Sequence, residues 1–158
     1  MNGYIMKAFL CFIFITFYTL SYAQAPYNKA IGVKFPGGFS VTYKKFVADT
    51  KNLEFQATIW NKGFRVSGLY EFNFYSFPQI PTLSWFVGPG AHIGFWKDQY
   101  GKSYGSNVDI GIDGIIGLDY KMPDLPLNFS LDWQPAITLI GDASFAPASG
   151  GIAARFTF

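Results

Sequence analysis

The run from Asn107 to Lys121 constrains the fold more than any other part of the chain. Asp109, Asp113, Asp119 and Lys121 all stand at odd positions, while Val108, Ile110, Ile112, Ile116, Leu118 and Tyr120 stand at even ones. A helix would scatter those charges around its circumference. An extended strand sends odd and even residues to opposite faces. The run is therefore a strand with one apolar face and one polar face, and Gly111 and Gly117 share the polar side. The pattern alone does not say which face meets water.

Similar alternation recurs along the chain. Runs over 30–35, 39–46, 53–60, 64–75, 83–96, 107–121, 127–140 and 150–158 are separated by turn-forming stretches such as Pro36-Gly37-Gly38, Asn61-Lys62-Gly63 and Met122-Pro123-Asp124. No segment after residue 23 reads as an amphipathic helix. The expected class is all-β: eight antiparallel strands, many near the 9–11 residues that cross a bilayer at a tilt. An even number of strands allows closure into an up-and-down barrel with both termini at one end. Pro89 and Pro135 fall inside runs, where a proline cannot donate to the ladder, and β-bulges are expected at both.

Composition bears on which face lies inside. Charged residues make up 14% of the chain and aromatics 20%, against roughly 25% charged in an ordinary soluble domain. Too few charges remain to cover a solvated surface. The polar face also carries small residues, including Ser67, Ser84, Gly88, Gly90, Gly94 and Ser130, which suit a narrow interior. Its charges balance closely. Lys34, Lys44, Arg65, Lys121 and Arg155 stand against Glu54, Glu71, Asp109, Asp113, Asp119 and Asp132, with His92 beside them. These twelve residues are the expected lumen network of a transmembrane barrel. The opposite face, including Ile31, Val41, Phe55, Val87, Ile93, Leu131 and Ile137, is nearly free of charge and would meet lipid. Lys45 breaks that pattern near a strand end, where it could snorkel. The competing arrangement is a soluble lipocalin-like barrel, oily within and polar without.

The N-terminus is a separate object. Lys7 precedes an apolar core from Ala8 to Leu20, and Ser21-Tyr22-Ala23 follows as a small-x-small site. Residues 1–23 read as a secretory signal peptide, with cleavage expected after Ala23 and Ala25 as the alternative. The apolar core is short of the roughly 20 residues of a membrane span. Cys11, the only cysteine, lies within this segment and is not placed as a lipoprotein cysteine. The expected mature domain, residues 24–158, then has no thiol and no disulfide. It is nearly neutral and has no basic cluster, which argues against nucleic acid as a partner.

With the signal peptide and eight strands in place, the ending Gly151-Ile152-Ala153-Ala154-Arg155-Phe156-Thr157-Phe158 carries a resemblance. It resembles the C-terminal strand signal read by the barrel-assembly machinery, with Phe156 and Phe158 at its alternating apolar-aromatic positions. Ala153 stands where that pattern usually has glycine, and Gly151 where it prefers a polar residue. The chain as a whole resembles the small OmpA/OmpX-type outer-membrane barrels of Gram-negative envelopes. The resemblance covers residues 28–158 as architecture and the last eight as motif. It implies residence in the cell outer membrane, contact with outer-membrane lipid and assembly by that machinery, without implying one function.

No strong catalytic motif emerges. Some small outer-membrane barrels are lipid A acyltransferases or deacylases that use histidine with serine and an acid. His92 is the only histidine here, and the position two residues on, where the deacylase type has serine, is Gly94. The simpler expectation is a lumen histidine bonded to a neighbouring carboxylate. Asp109 and Asp113 are roughly 13 Å apart along their strand, too far for a paired-carboxylate site, and lumen Arg or Lys on other strands are their expected partners. There is no His/Cys cluster and no EF-hand pattern, so no metal or cofactor is expected. Gly88-Pro89-Gly90 lacks the Lys-Ser/Thr and the helix of a phosphate loop. The long connections 97–107 and 141–149 are expected to face outward, the first as a possible extracellular contact. The leading expectation is a non-enzymatic outer-membrane barrel with a plugged lumen and a structural or surface-contact role. The alternatives are a lipid A-modifying enzyme using His92 and a secreted soluble barrel that binds an apolar ligand.

Overall fold

The computed structural model describes residues 25–97, 107–141, 144–146 and 150–158, and all regular structure among them is β. The expected signal peptide lies outside the described residues, as does the 97–107 connection apart from Lys97 and Asn107. The strands are β1 (Lys29–Phe35), β2 (Phe39–Ala48), β3 (Lys51–Trp60), β4 (Gly63–Phe74), β5 (Leu83–Trp96), β6 (Val108–Lys121), β7 (Leu127–Trp133), β8 (Ala136–Ile140), β9 (Ser144–Ala146) and β10 (Gly150–Thr157).

Neighbours in sequence pair antiparallel from β1 to β7. β7 and β8 both lie against β6 and form one interrupted stave, while β9 and β10 lie against these two and form the last. β10 returns to β1, so eight staves close a barrel. One rung runs sideways through Thr157, Ala30, Lys44, Glu54, Leu69, Gly90, Asp113, Ala136 and Ala146. It leaves the last stave at Thr157 and returns to it at Ala146. That stagger goes with strands tilted about 35–45° around an interior that side chains can fill. Both described ends of the chain lie at one end, here called terminal, with the connections 49–50, 75–82 and 122–126. The connections 36–38 and 61–62, with the strand ends at Trp96, Val108 and Ile140, mark the opposite, distal end. At the first of these, Gly37 and Gly38 hold φ of 103° and 132°, which only glycine adopts without strain.

Two expectations are corrected here. Neither proline makes a bulge. The β4–β5 ladder has no rung between Leu69↔Gly90 and Phe72↔Val87, and the β6 ladder has none between Asp113↔Ala136 and Ile116↔Trp133. Register is the same on both sides of each gap. A missing N–H removes a rung without adding a residue, so nothing shifts. The irregularities fall instead at Ile110/Gly111 and Phe46/Ala48. The second correction concerns 141–149, which is not one loop. Ala146, Phe145 and Ser144 pair with Ala136, Ile137 and Thr138, so the last stave begins before Gly150.

The two faces are sharply different. Lys34, Lys44, Glu54, Glu71, His92, Asp109, Asp113, Asp119, Asp132 and Arg155 are buried inside, together with Thr42, Asn52, Gln56, Asn73 and Asn128. Ile31, Val41, Phe55, Ile112, Ile116, Leu131, Ile137 and Ile152 are exposed outside. This burial is the reverse of a barrel with an oily interior.

Candidate functional site

The lumen divides into two halves. At the terminal half, Lys44 Nζ lies 3.2 Å from Glu54, 2.9 Å from Glu71 and 3.1 Å from Asp119. It also sits 4.5 Å over the Phe86 ring. Arg155, on β10, spreads its fork over groups from three other strands, β2, β3 and β7. Nη2 donates to Glu54 at 2.6 Å, Nη1 to Ser130 at 2.7 Å and Asn128 at 3.3 Å, and Nε to Thr42 at 2.8 Å. Asn128 donates onward to Asp119 at 2.6 Å, and Gln56 to Glu54 at 3.0 Å. Tyr27, ahead of β1, caps this network. Its hydroxyl reaches both Asp119 oxygens at 3.4 Å, and its ring meets Phe46 edge-on at 5.0 Å. Burial, with the Asp119 carboxylate beside it, raises the Tyr27 phenol well above its usual range, and burial raises Tyr75 likewise. Both stay protonated, and Tyr27 donates to Asp119.

Isolated buried ions are costly, and one that loses its partner more so. The network answers this by sharing. Each cation contacts more than one acceptor, and Glu54 takes both cations. Leu69, Phe86 and Ile115 pack together beside it as an apolar layer inside the barrel.

The distal half holds separate pairs. Lys34 lies 2.6 Å from Asp132 and donates to Gln134 at 3.1 Å. His92 Nδ1 lies 2.9 Å from Asp113 Oδ1, both side chains fully buried. Gly111 makes room for this ring: a Cβ there would lie 2.5 Å from the imidazole and 2.2 Å from the Ile137 carbonyl. Trp96 Nε1 donates to Asp109 at 2.8 Å, and Arg65 stands 4.0 Å from the same carboxylate and 5.8 Å over the Trp60 ring. A cavity of about 230 Å³ occupies this end, walled by Lys34, Ser40, Gln56, Thr58, Arg65 and Ser67 among others.

Eleven of the twelve residues expected in the lumen point inward, though not as one network. Lys121 departs: its Nζ turns to the terminal rim and bonds the Met122 and Leu125 carbonyls. Of the Arg or Lys partners expected for Asp109 and Asp113, Asp109 has one, Arg65 at 4.0 Å, beside a hydrogen bond from the Trp96 indole, whereas Asp113 is corrected: it pairs with His92. Sequence reasoning passed over the neutral members, Thr42, Asn52, Gln56, Asn73, Asn128 and Gln134. Each shares the parity of the charges on its own stave, and that signal would have found them. Sequence reasoning placed Ser67 on the polar face without assigning it to His92, and the fold sets the two directly across from each other in register. His92 Nε2 has no hydrogen-bond partner among the described residues, so Ser67 and the imidazole are neighbours without a bond. The expected assembly residues Phe156 and Phe158 are exposed on the outer face of the last stave.

No family model, no curated protein and no solved structure matches the chain.

Proposed function

We propose that the mature chain is an integral outer-membrane barrel, plugged by its own side chains, with a structural or surface-contact role and no catalysis. The observation that carries this reading is the inverted burial: charges inside a closed barrel, large apolar side chains outside it. Soluble monomers rarely expose contiguous apolar patches beyond a few hundred Å², and a spanning barrel needs an outward apolar band. Aliphatic Ile112, Ile116 and Leu131 lie away from the ends of their staves on the outer face. Aromatic pairs gather near strand ends, with Phe74 stacked on Trp85 at 4.2 Å and Phe64 on Phe95 at 6.4 Å. β1 to β7 and β10 are each paired on both sides around the closed ring, as β-structure in lipid requires, and only the three-residue β9 at the distal end has a single partner, β8. The partners are then outer-membrane lipid, the assembly machinery acting on the Phe156/Phe158 ending, and an extracellular contact through the 97–107 connection. The OmpA/OmpX-type resemblance and the cleaved signal peptide belong to the same proposal.

Single cysteines at 112 and 113 test it. The outward Ile112 site should react with a lipid-phase probe in intact envelopes, and the inward Asp113 site should not. The reverse result, or a mature chain recovered in the soluble fraction, would overturn the membrane reading.

One observation favours a second reading, a lipid-acyl hydrolase: Ser67, His92 and Asp113 follow one another across three adjacent strands on the inner face. That order suits a nucleophile, a base and its orienting acid. Deacylation of lipid A lost in both Ser67→Ala and His92→Ala would establish it. No activity in the wild-type chain would leave the His92–Asp113 pair a structural contact.

A further inference from the structure

The terminal network is short of one positive charge. Lys44 and Arg155 face Glu54, Glu71 and Asp119, all at most 2% exposed, and the nearby Lys34 is spent on Asp132. Tyr27, the other group against Asp119, stays neutral. The deficit is localised by geometry. Glu54 receives both cations and Gln56, and Asp119 receives Lys44, Asn128 and Tyr27. Glu71 receives Lys44 alone, on Oε2, and its Oε1 is buried with no partner among the described residues.

Three more polar groups without partners lie at the same end of the barrel wall as Glu71. Asn52 is the direct cross-strand neighbour of Glu71, and Asn73 follows it on the same inner face of β4. Both asparagines are at most 2% exposed, and neither carboxamide has a partner for oxygen or nitrogen among the described residues. The Tyr75 hydroxyl, just past the end of β4, is in the same position. Buried polar groups are nearly always satisfied, so a set at the same end of the wall as one underpaired carboxylate points to a ligand.

We propose that this pocket binds a monovalent alkali cation, of which sodium is the type, through Glu71 Oε1 and the carboxamide oxygens of Asn52 and Asn73. Oxygen ligands suit a hard cation. One positive charge closes the deficit, whereas a divalent ion would reverse it. A proton on Glu71 would also balance the charge, but it would occupy a single acceptor and leave the other oxygens unmet. The site lies inside the closed barrel, so it does not depend on where the barrel resides.

The test uses the folded mature chain in detergent, at one pH and one ionic strength, with sodium chloride exchanged against N-methylglucamine chloride. Sodium should raise the unfolding temperature by roughly 5 °C per tenfold increase once its Kd is passed. Glu71→Gln should abolish the dependence. Asn73→Ala, which changes no charge and breaks no hydrogen bond seen within the protein, should weaken it at least tenfold in apparent Kd. That variant decides the matter even where Glu71→Gln fails to fold. Equal stability in the two salts overturns the proposal, and so does a sodium effect that both variants retain. Indifference to sodium, with a pH dependence that Glu71→Gln removes, overturns it in favour of a protonated carboxyl.

Discussion

The two halves of the lumen use the same kinds of residue and arrive at different chemistry. In the terminal half, groups from β2, β3, β4, β6, β7 and β10 share acceptors and donors in one connected network under Tyr27. In the distal half, Lys34–Asp132, His92–Asp113 and Trp96–Asp109 stand as separate pairs around a cavity. Side-chain size accounts for much of the difference. Long groups converge on the terminal half, whereas the short Ser40 and Ser67 line the distal cavity, and Gly94 and Gly111 let Asp109 and His92 lie close against the barrel wall. A shared network ties the staves together. Separate pairs leave a roomier end, free to hold solvent or a small solute.

The comparison ranks substitutions. Lys44→Met should be the most damaging, because three buried carboxylates lose the cation they share; a loss of about 3–5 kcal/mol is expected. Urea unfolding of the folded barrel measures it, and Glu71→Gln added to Lys44→Met should restore part of the loss. An additive double variant would mean that the network is not shared. Next comes an outward site. Ile112→Lys places a charge against hydrocarbon in the proposed setting, at about 2–4 kcal/mol near the midplane. The same substitution in a barrel bathed in water would be nearly neutral, so unfolding from lipid vesicles separates the two settings.

Distal changes should be milder. Asp113→Asn still offers His92 an oxygen, so about 1 kcal/mol is expected, the worth of one ordinary hydrogen bond. A loss matching that of Lys44→Met would show that the His92–Asp113 pair is as critical as the terminal network. Arg65→Gln should be smallest, at about 0–1 kcal/mol. The pair is 4.0 Å apart and the arginine is 19% exposed, while Trp96 continues to bond Asp109. A larger loss there would place Arg65 in a network that the distances do not reveal.

Most strand limits were legible to within one or two residues, since turn chemistry and alternation are local properties. What sequence reading missed was not local. Tyr27 precedes the first strand, and nothing in its neighbours marks it as a cap for Asp119 on β6. β9 is too short to show a period, and its pairing with β8 became visible only in the folded sheet. Lys121 has the right parity for the lumen but lies at a strand end, where the rim carbonyls of Met122 and Leu125 are nearer than any lumen acid.

The sequence by itself determined which face of each strand each residue occupies, because a strand alternates its side chains whatever surrounds it. From 107–121 alone, Asp113 and Ile112 were bound to opposite sides. Tertiary structure decided which side was in and who meets whom. Lys44 reaches Asp119 across four staves, while Asp113, on the same rung as Lys44, meets His92 instead. Those meetings follow from the stagger with which eight strands close. Stagger is the sum of every register around the ring, and no single strand carries it.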